Sequence, residues 1–192
     1  MELPLSAPLV LASASPRRSE LLTHAGFRFS VDAADVDESV RPGESPEAYV
    51  LRVARDKARV VADRTDRGAI VLAADTTVAV DDEILAKPED AQDAVRMLTR
   101  LAGRVHDVFT GVVVRVGERE LFEVTPTRVR LLPMSTDEIA WYVESGEPMG
   151  KAGAYGIQGR AARFVDWIEG SWSNVVGLPV AAVYQLLKRL DA

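Results

Sequence analysis

The residues best placed to do chemistry gather first in Leu9–Leu22, LVLASASPRRSELL. Ser13 and Ser15 lie in a small-residue turn, Pro16 stands at the first position of an expected helix, and Arg17 and Arg18 follow directly. Two cations in a first helical turn oppose the helix dipole, which favours negative charge there. Backbone N–H groups, two hydroxyls and two guanidiniums meeting at one helix start make a site for an anion, phosphate above all. An Arg-Arg pair by itself is more often a solvated surface pair. Here the preceding apolar run and the Ser-Pro cap shift the balance toward phosphate.

Three further residues bear on such a site. Asp75 follows the continuous apolar run Ala69–Ala74. A carboxylate just past the carboxyl end of a buried strand sits where open α/β sheets hold their ligands. With the first strand as a parallel neighbour it would face the anion site; the blander reading is a turn residue. Lys57 falls on the apolar stripe of a helix, four residues after Val53. There it either snorkels at the edge of the core, the commoner case, or points into a polar cleft, and methionine would suit the stripe equally well. Lys87 precedes Pro88, which holds its backbone extended and aims its side chain. His106 and Thr110 lie near the start of a strand, where a lone histidine is more often structural than catalytic.

Positioning these groups takes strands and helices in alternation. Leu9–Ala12 reads as a short buried strand and Phe27–Val31 as a second, followed by an acidic stretch that includes Glu38. Ser45-Pro46 opens a helix to about Asp63. After Asp75, Thr76–Val80 continues as strand, Asp81-Asp82 turns, and Ile84–Ala86 returns as a hairpin. Glu89–Leu101 is expected as an amphipathic helix with Ala94, Val95, Leu98 and Leu101 inside. Val105–Val116 and Leu121–Leu131 are strands around a polar turn, and Ser135 with Glu138 makes a capping box for a helix to Glu144. A glycine-dense loop, Gly150–Gly159, matches neither a Walker loop nor a dinucleotide fingerprint. Ala161–Ile168 reads as strand, Gly170–Gly177 as loop, and Pro179 starts the terminal helix. The class is therefore α/β, and the hairpins between helices point to a mixed sheet. No composition shift marks a linker, so residues 1–192 are expected to form one domain.

Composition excludes several classes. With 47% hydrophobic and 27% charged residues the chain is ordinary globular material. A net charge of −6 argues against nucleic acid or an anionic membrane as partner, so an anionic ligand must be held by local cations. The absence of cysteine excludes disulfides, thiol catalysis and cysteine-ligated zinc. No apolar run approaches membrane-spanning length and no secretory signal is apparent, so a cytoplasmic protein is expected.

Seven stretches in order, LASASPRRSELL, ESPEAYVLRVARDKA, LAADTTVAV, AKPEDA, HDVFTGV, GKAGAYGIQG and GSWSNVVGLP, closely resemble the Maf family of nucleoside triphosphate pyrophosphatases. The resemblance runs from about Leu9 to Leu190, and seven motifs in register are highly specific where any one would be weak. It implies an elongated mixed sheet flanked by helices, two lobes with a cleft between them, and often a homodimer. It also implies hydrolysis of a nucleotide between its α and β phosphates, dependent on a divalent metal, magnesium or manganese. The family's functional positions carry over to Ser13, Arg17, Arg18, Glu38, Lys57, Asp75, Thr76, Lys87 and Gln158. One departure is Gly150, where members commonly have an acidic residue; Lys151 and the rest of the loop are intact. Arg17, Thr76 and Gln158 look like the branch acting on dTTP and UTP, whereas a sister branch acting on 7-methyl-GTP tends to carry Trp, Gln and Glu there.

On this reading Arg18, Lys57 and Lys87 hold the triphosphate and offset transition-state charge. Ser13, Arg17, Thr76 and Gln158 bind substrate. Asp75 is general base or metal ligand, and the sequence does not separate the two roles; Glu38 is a second metal ligand. The expected work is clearance of normal or modified pyrimidine nucleotides. The competing readings are the sister-branch activity and a nucleotide-binding regulator of cell division. Two carboxylates beside an anion site count against pure binding.

Overall fold

Alternation along two central strands decides which side chains meet which helices. The structure is a computed structural model and describes residues 5–190 apart from Asp82, so the second residue of the expected Asp81-Asp82 turn lies outside the described residues. Strands β1 (Leu9–Leu11), β2 (Ser30–Val31), β3 (Ile70–Val80), β4 (Glu83–Leu85), β5 (Val105–Val116), β6 (Arg119–Leu131) and β7 (Val165–Glu169) form one seven-stranded sheet. Its order is β2-β1-β3-β5-β6-β7, with β4 on β3. Strand β1 pairs parallel with β2 and β3, while β4 on β3 and β7 on β6 are antiparallel, so the sheet is mixed. The helices are α1 (Pro16–His24), α2 (Pro46–Ala62), α3 (Ala91–Leu101), α4 (Thr136–Glu144), α5 (Trp172–Val176) and α6 (Val180–Leu190). No helix of the described residues is long and apolar enough to cross a membrane.

The chain divides into two compact units. The first holds the chain up to Asp75, Thr110–Thr125 and the chain from Gly177 onward; the second holds Thr76–Phe109 and Pro126–Val176. In the first, side chains of successive residues on a strand point to opposite faces. Leu9, Leu11, Ile70, Leu72 and Ala74 pack with Leu22 of α1 and with Val183, Leu186 and Leu187 of α6. Val10, Ala12, Val71 and Ala73 pack with Ala54, Ala58 and Val61 of α2. Helix α2 lies very close to β5 at Gly111, where a Cβ would come within 2.7 Å of the Val50 carbonyl oxygen. In the second unit Ala94, Met97, Leu98 and Leu101 of α3 and Ile139 and Tyr142 of α4 are buried.

Several local expectations give way to packing. Phe27–Val31 narrows to the two-residue β2, because its partner β1 is only three residues long. Ala161–Ile168 is not all strand: Arg160–Phe164 winds as a 3-10 helix, burying Ala161 and Phe164 three residues apart, and β7 starts at Val165. The loop Gly170–Gly177 contains α5. Val95 is 38% exposed, and Met97 takes the interior place expected of it. Asp75 does not end its strand; β3 runs through it unbroken.

Candidate functional site

The start of α1 is built differently from those of α2, α3 and α4. Ser45, Asp90 and Ser135 each cap their helix through a side-chain oxygen that accepts a backbone N–H, and the expected Ser135–Glu138 capping box is present. Ser15 holds the N-cap position of α1, yet its side chain accepts no capping bond. Ser13 Oγ instead accepts the Ser15 N–H at 3.2 Å and Arg18 Nη1 at 3.2 Å. Arg18 Nε donates to the Gly177 carbonyl at 2.8 Å. Arg18 is thus buried with its plane fixed, and Arg17 is half-buried beside it. A helix start left uncapped by its own serine and flanked by two guanidiniums is suited to an anion.

Alternation then explains Asp75. It shares parity with Val71 and Ala73, so it points toward the α2 side of β3. Lys57 comes from α2 at the position between Val53 and Val61 on the buried face. It does not snorkel: it is 6% exposed, with Nζ 2.7 Å from Asp75 Oδ1 and 2.6 Å from Glu38 Oε1. One ammonium therefore bridges two carboxylates, and this pairing is why a charged residue can interrupt a buried strand without ending it. Burial pushes the Asp75 carboxyl above its ordinary range, against the pull of Lys57 and Arg18, and Glu38 adds to the push.

Glu38 lies on an irregular segment, and two residues that sequence reasoning missed hold that segment on α2. Tyr49 donates its hydroxyl to the Glu38 carbonyl at 2.9 Å. Arg52 grips Glu44 with Nε and Nη2 at 2.6 and 2.8 Å and reaches the Ser39 carbonyl at 2.9 Å. The available signal was thin, a tyrosine and an arginine three residues apart at the start of a helix that follows an acidic loop.

The first unit thus brings Ser13, Arg17, Arg18, Glu38, Lys57 and Asp75 together; Thr76, Lys87 and Gln158 belong to the second. Thr76, next to Asp75 on β3, is half-buried, and Lys87 is exposed after β4. The Gly153 N–H donates to the carbonyl of Ala86, which ties the glycine-dense loop to the residue before Lys87. Gly153 has φ +66, and a Cβ there would strike Val78 at 2.8 Å. Gly150, the departure from the family pattern, has φ +70, a conformation that suits glycine. Gln158 is exposed on this loop. His106 is buried in β5 with Nε2 2.7 Å from the Tyr155 hydroxyl and the rings edge to face. Burial pushes it down to about 4, so it is neutral and structural.

A divalent ion needs oxygen donors here. Glu38 and Asp75 are two hard carboxylate donors, and among the described residues no group of three His, Cys, Asp or Glu could hold a metal. Two protein carboxylates with the remaining positions left to phosphate and water match the habit of magnesium, not of a closed structural site.

Comparison with known proteins gives consistent results. The family model described as Maf-like protein matches residues 8–190. A dTTP/UTP pyrophosphatase of Myxococcus xanthus is 57% identical over 181 residues, covering 94% of this chain and 91% of that one. A dTTP/UTP pyrophosphatase of Anaeromyxobacter is 54% identical over 186 residues, covering 94% and 88%. Among solved structures, a HAM1 protein from Coxiella burnetii aligns with a TM-score of 0.51 over 96% of this chain and 98% of that one, at 13% identity, a likeness of fold alone.

Proposed function

The chain belongs to the Maf-like protein family, and from that premise we propose that it is a nucleoside triphosphate pyrophosphatase acting on dTTP and UTP. The products are the nucleoside monophosphate and pyrophosphate. The observation that carries the chemistry is the buried Lys57 ammonium held between Glu38 and Asp75 in the same unit as Arg17 and Arg18. The substrate is that of the relatives, which are more than half identical along nearly the whole chain.

Arg17, Arg18 and the open start of α1 receive phosphate oxygens, and Ser13 orients Arg18. Lys57 and Lys87 offset charge that builds up as the bond between the α and β phosphates breaks. Asp75 takes the proton of the attacking water; its raised proton affinity suits a general base. Glu38 and Asp75 would hold a magnesium or manganese ion, which when bound neutralises phosphate charge and favours ionisation of water. Thr76 and Gln158 contact the nucleoside. The Gln158 amide offers an acceptor and a donor side by side, matching the N3–H and C4 carbonyl of uracil and thymine. A pure nucleotide-binding regulator would gain nothing from two carboxylates at its anion site.

Purified protein with magnesium and a panel of dTTP, UTP, GTP and 7-methyl-GTP tests the reading by the release of pyrophosphate. Fast release from dTTP and UTP is expected. Orthophosphate as the product, or 7-methyl-GTP as the preferred substrate, overturns it.

A further inference from the structure

Gln158 occupies the third position of a β-turn, in which the Gly159 N–H donates to the Gly156 carbonyl at 3.0 Å. Both ends of this turn are tethered to one side chain. On the entering side the Gly156 N–H donates to the Tyr142 hydroxyl at 3.1 Å, and that hydroxyl donates to Glu147 Oε1 at 2.9 Å. On the leaving side the Arg160 N–H donates to Glu147 Oε2 at 2.9 Å. Each oxygen of the carboxylate thus holds one end of the turn. Glu147 is itself anchored at its backbone: its N–H donates to Ser145 Oγ at 3.2 Å, and its carbonyl accepts from Lys151 Nζ. A Cβ at Gly159 would come within 2.2 Å of Glu147 Oε1, so any side chain there would displace this carboxylate from its bonds. Ile157 is buried, so the side chain this turn presents outward is that of Gln158.

We propose that Glu147 and Tyr142 are positioning residues for base selection, holding the Gln158 turn so that its amide is pre-oriented toward the pyrimidine edge. This rests on the reading of Gln158 as the residue that meets the base. The physical need is clear. The two glycines that bound the turn pack no side chain, so beyond the buried Ile157 its ends are held by hydrogen bonds to rigid groups. Helix α4 supplies that support through Tyr142, fully buried and stacked edge to face on Phe164. Selectivity between hydrogen-bonding edges is lost when the amide is free to turn, because a reoriented donor and acceptor fit the wrong base as well as the right one. Glu147 and Tyr142 act through Gln158 and touch no reacting atom.

Two substitutions loosen the tether with little change of shape. Tyr142→Phe removes the hydroxyl that links Gly156 to Glu147. Glu147→Gln leaves one acceptor oxygen where two are used. Each is measured alone and together with Gln158→Ala, reading kcat and KM for dTTP and GTP separately, with thermal midpoints alongside. The expected result is a fall of about tenfold in the dTTP-over-GTP ratio of kcat/KM for either tether variant, carried mainly by KM for dTTP. Neither variant should lower the ratio further once Gln158 is alanine. A full ratio in both tether variants, beside a Gln158→Ala protein that has lost it, overturns the positioning role and leaves the base reading standing. Equally, a tether variant that lowers the ratio further in the Gln158→Ala background overturns it. A full ratio in Gln158→Ala overturns the base reading itself and the positioning role with it.

Discussion

Two regions of this molecule hold their candidate functional groups by opposite means. In the first unit, Asp75 sits inside a strand and Lys57 inside a helix, and their meeting follows from the parity of one and the helical spacing of the other. In the second, Gln158 sits on a glycine-bounded turn whose geometry is set by hydrogen bonds to Glu147 and Tyr142. The first arrangement confines charges that are costly to bury, so it needs rigid elements and leaves no freedom. The second presents a neutral amide at the surface, where orientation matters more than desolvation. We therefore expect chemistry to fail when the first region is altered and discrimination to fail when the second is.

The largest effect should come from Asp75→Asn, with turnover falling about 10²–10⁴-fold. Stability should behave differently. Burial raises the Asp75 carboxyl, which favours a neutral amide in its place, while the Lys57 ammonium loses one of its two carboxylate partners and keeps Glu38. The two effects oppose one another, so a thermal midpoint close to that of the parent is expected, with steady-state kinetics measured alongside. Near-normal turnover would remove Asp75 from the mechanism.

Lys57→Met comes next, at about 10²-fold in turnover. Methionine suits an apolar stripe, which taken alone predicts no loss of stability. The two carboxylates reverse that expectation, since removing the ammonium leaves Glu38 and Asp75 facing one another. A loss of about 2 kcal/mol is expected, less than for a fully buried pair because Glu38 is partly exposed. Added magnesium should raise the midpoint of this variant more than that of the parent. An equal shift in both would argue against the two carboxylates as the ion's ligands.

A smaller effect, confined to discrimination, is expected of Gln158→Glu. A carboxylate opposite the C4 carbonyl oxygen repels it, so kcat/KM for dTTP should fall about tenfold relative to GTP, with the midpoint unchanged. An unaltered ranking across dTTP, UTP, GTP and 7-methyl-GTP would leave Gln158 without a part in base choice.

The smallest effect belongs to His106, which bonds Tyr155 just before the Gln158 turn. Its folded pKa, about 4, lies below the ordinary value near 6.5, so as pH falls through that window the unfolded state takes up a proton that the folded state refuses. Stability should therefore fall on acidification, by about 1 kcal/mol between about pH 7 and about pH 5.5. Urea melts of the parent and of His106→Gln check this, with a flatter pH dependence in the variant as the expected outcome.

The amino-acid sequence by itself determined the class and most of the elements, and it singled out the charged residues of the candidate site. Strict apolar runs and cap signals specify β3, β5, α2 and α4, because burial on one or both faces leaves only one period for each. The motifs that resemble the Maf family named every charged residue that the first unit brings together. Short elements were less legible. Whether Arg160–Phe164 winds or extends, and whether Val95 or Met97 faces inward, depends on neighbours distant in the chain. Tertiary structure alone decided how Asp75 can be buried within its strand, since Lys57, eighteen residues away along the chain, and Arg18 compensate its charge. It alone decided that Tyr49 and Arg52 hold the Glu38 segment, and that Glu147 holds both ends of the Gln158 turn. Periodicity reports which face of an element is apolar. It carries no record of which polar atom on one element will meet which on another, because that pairing exists only once the packed elements bring the two within hydrogen-bonding distance.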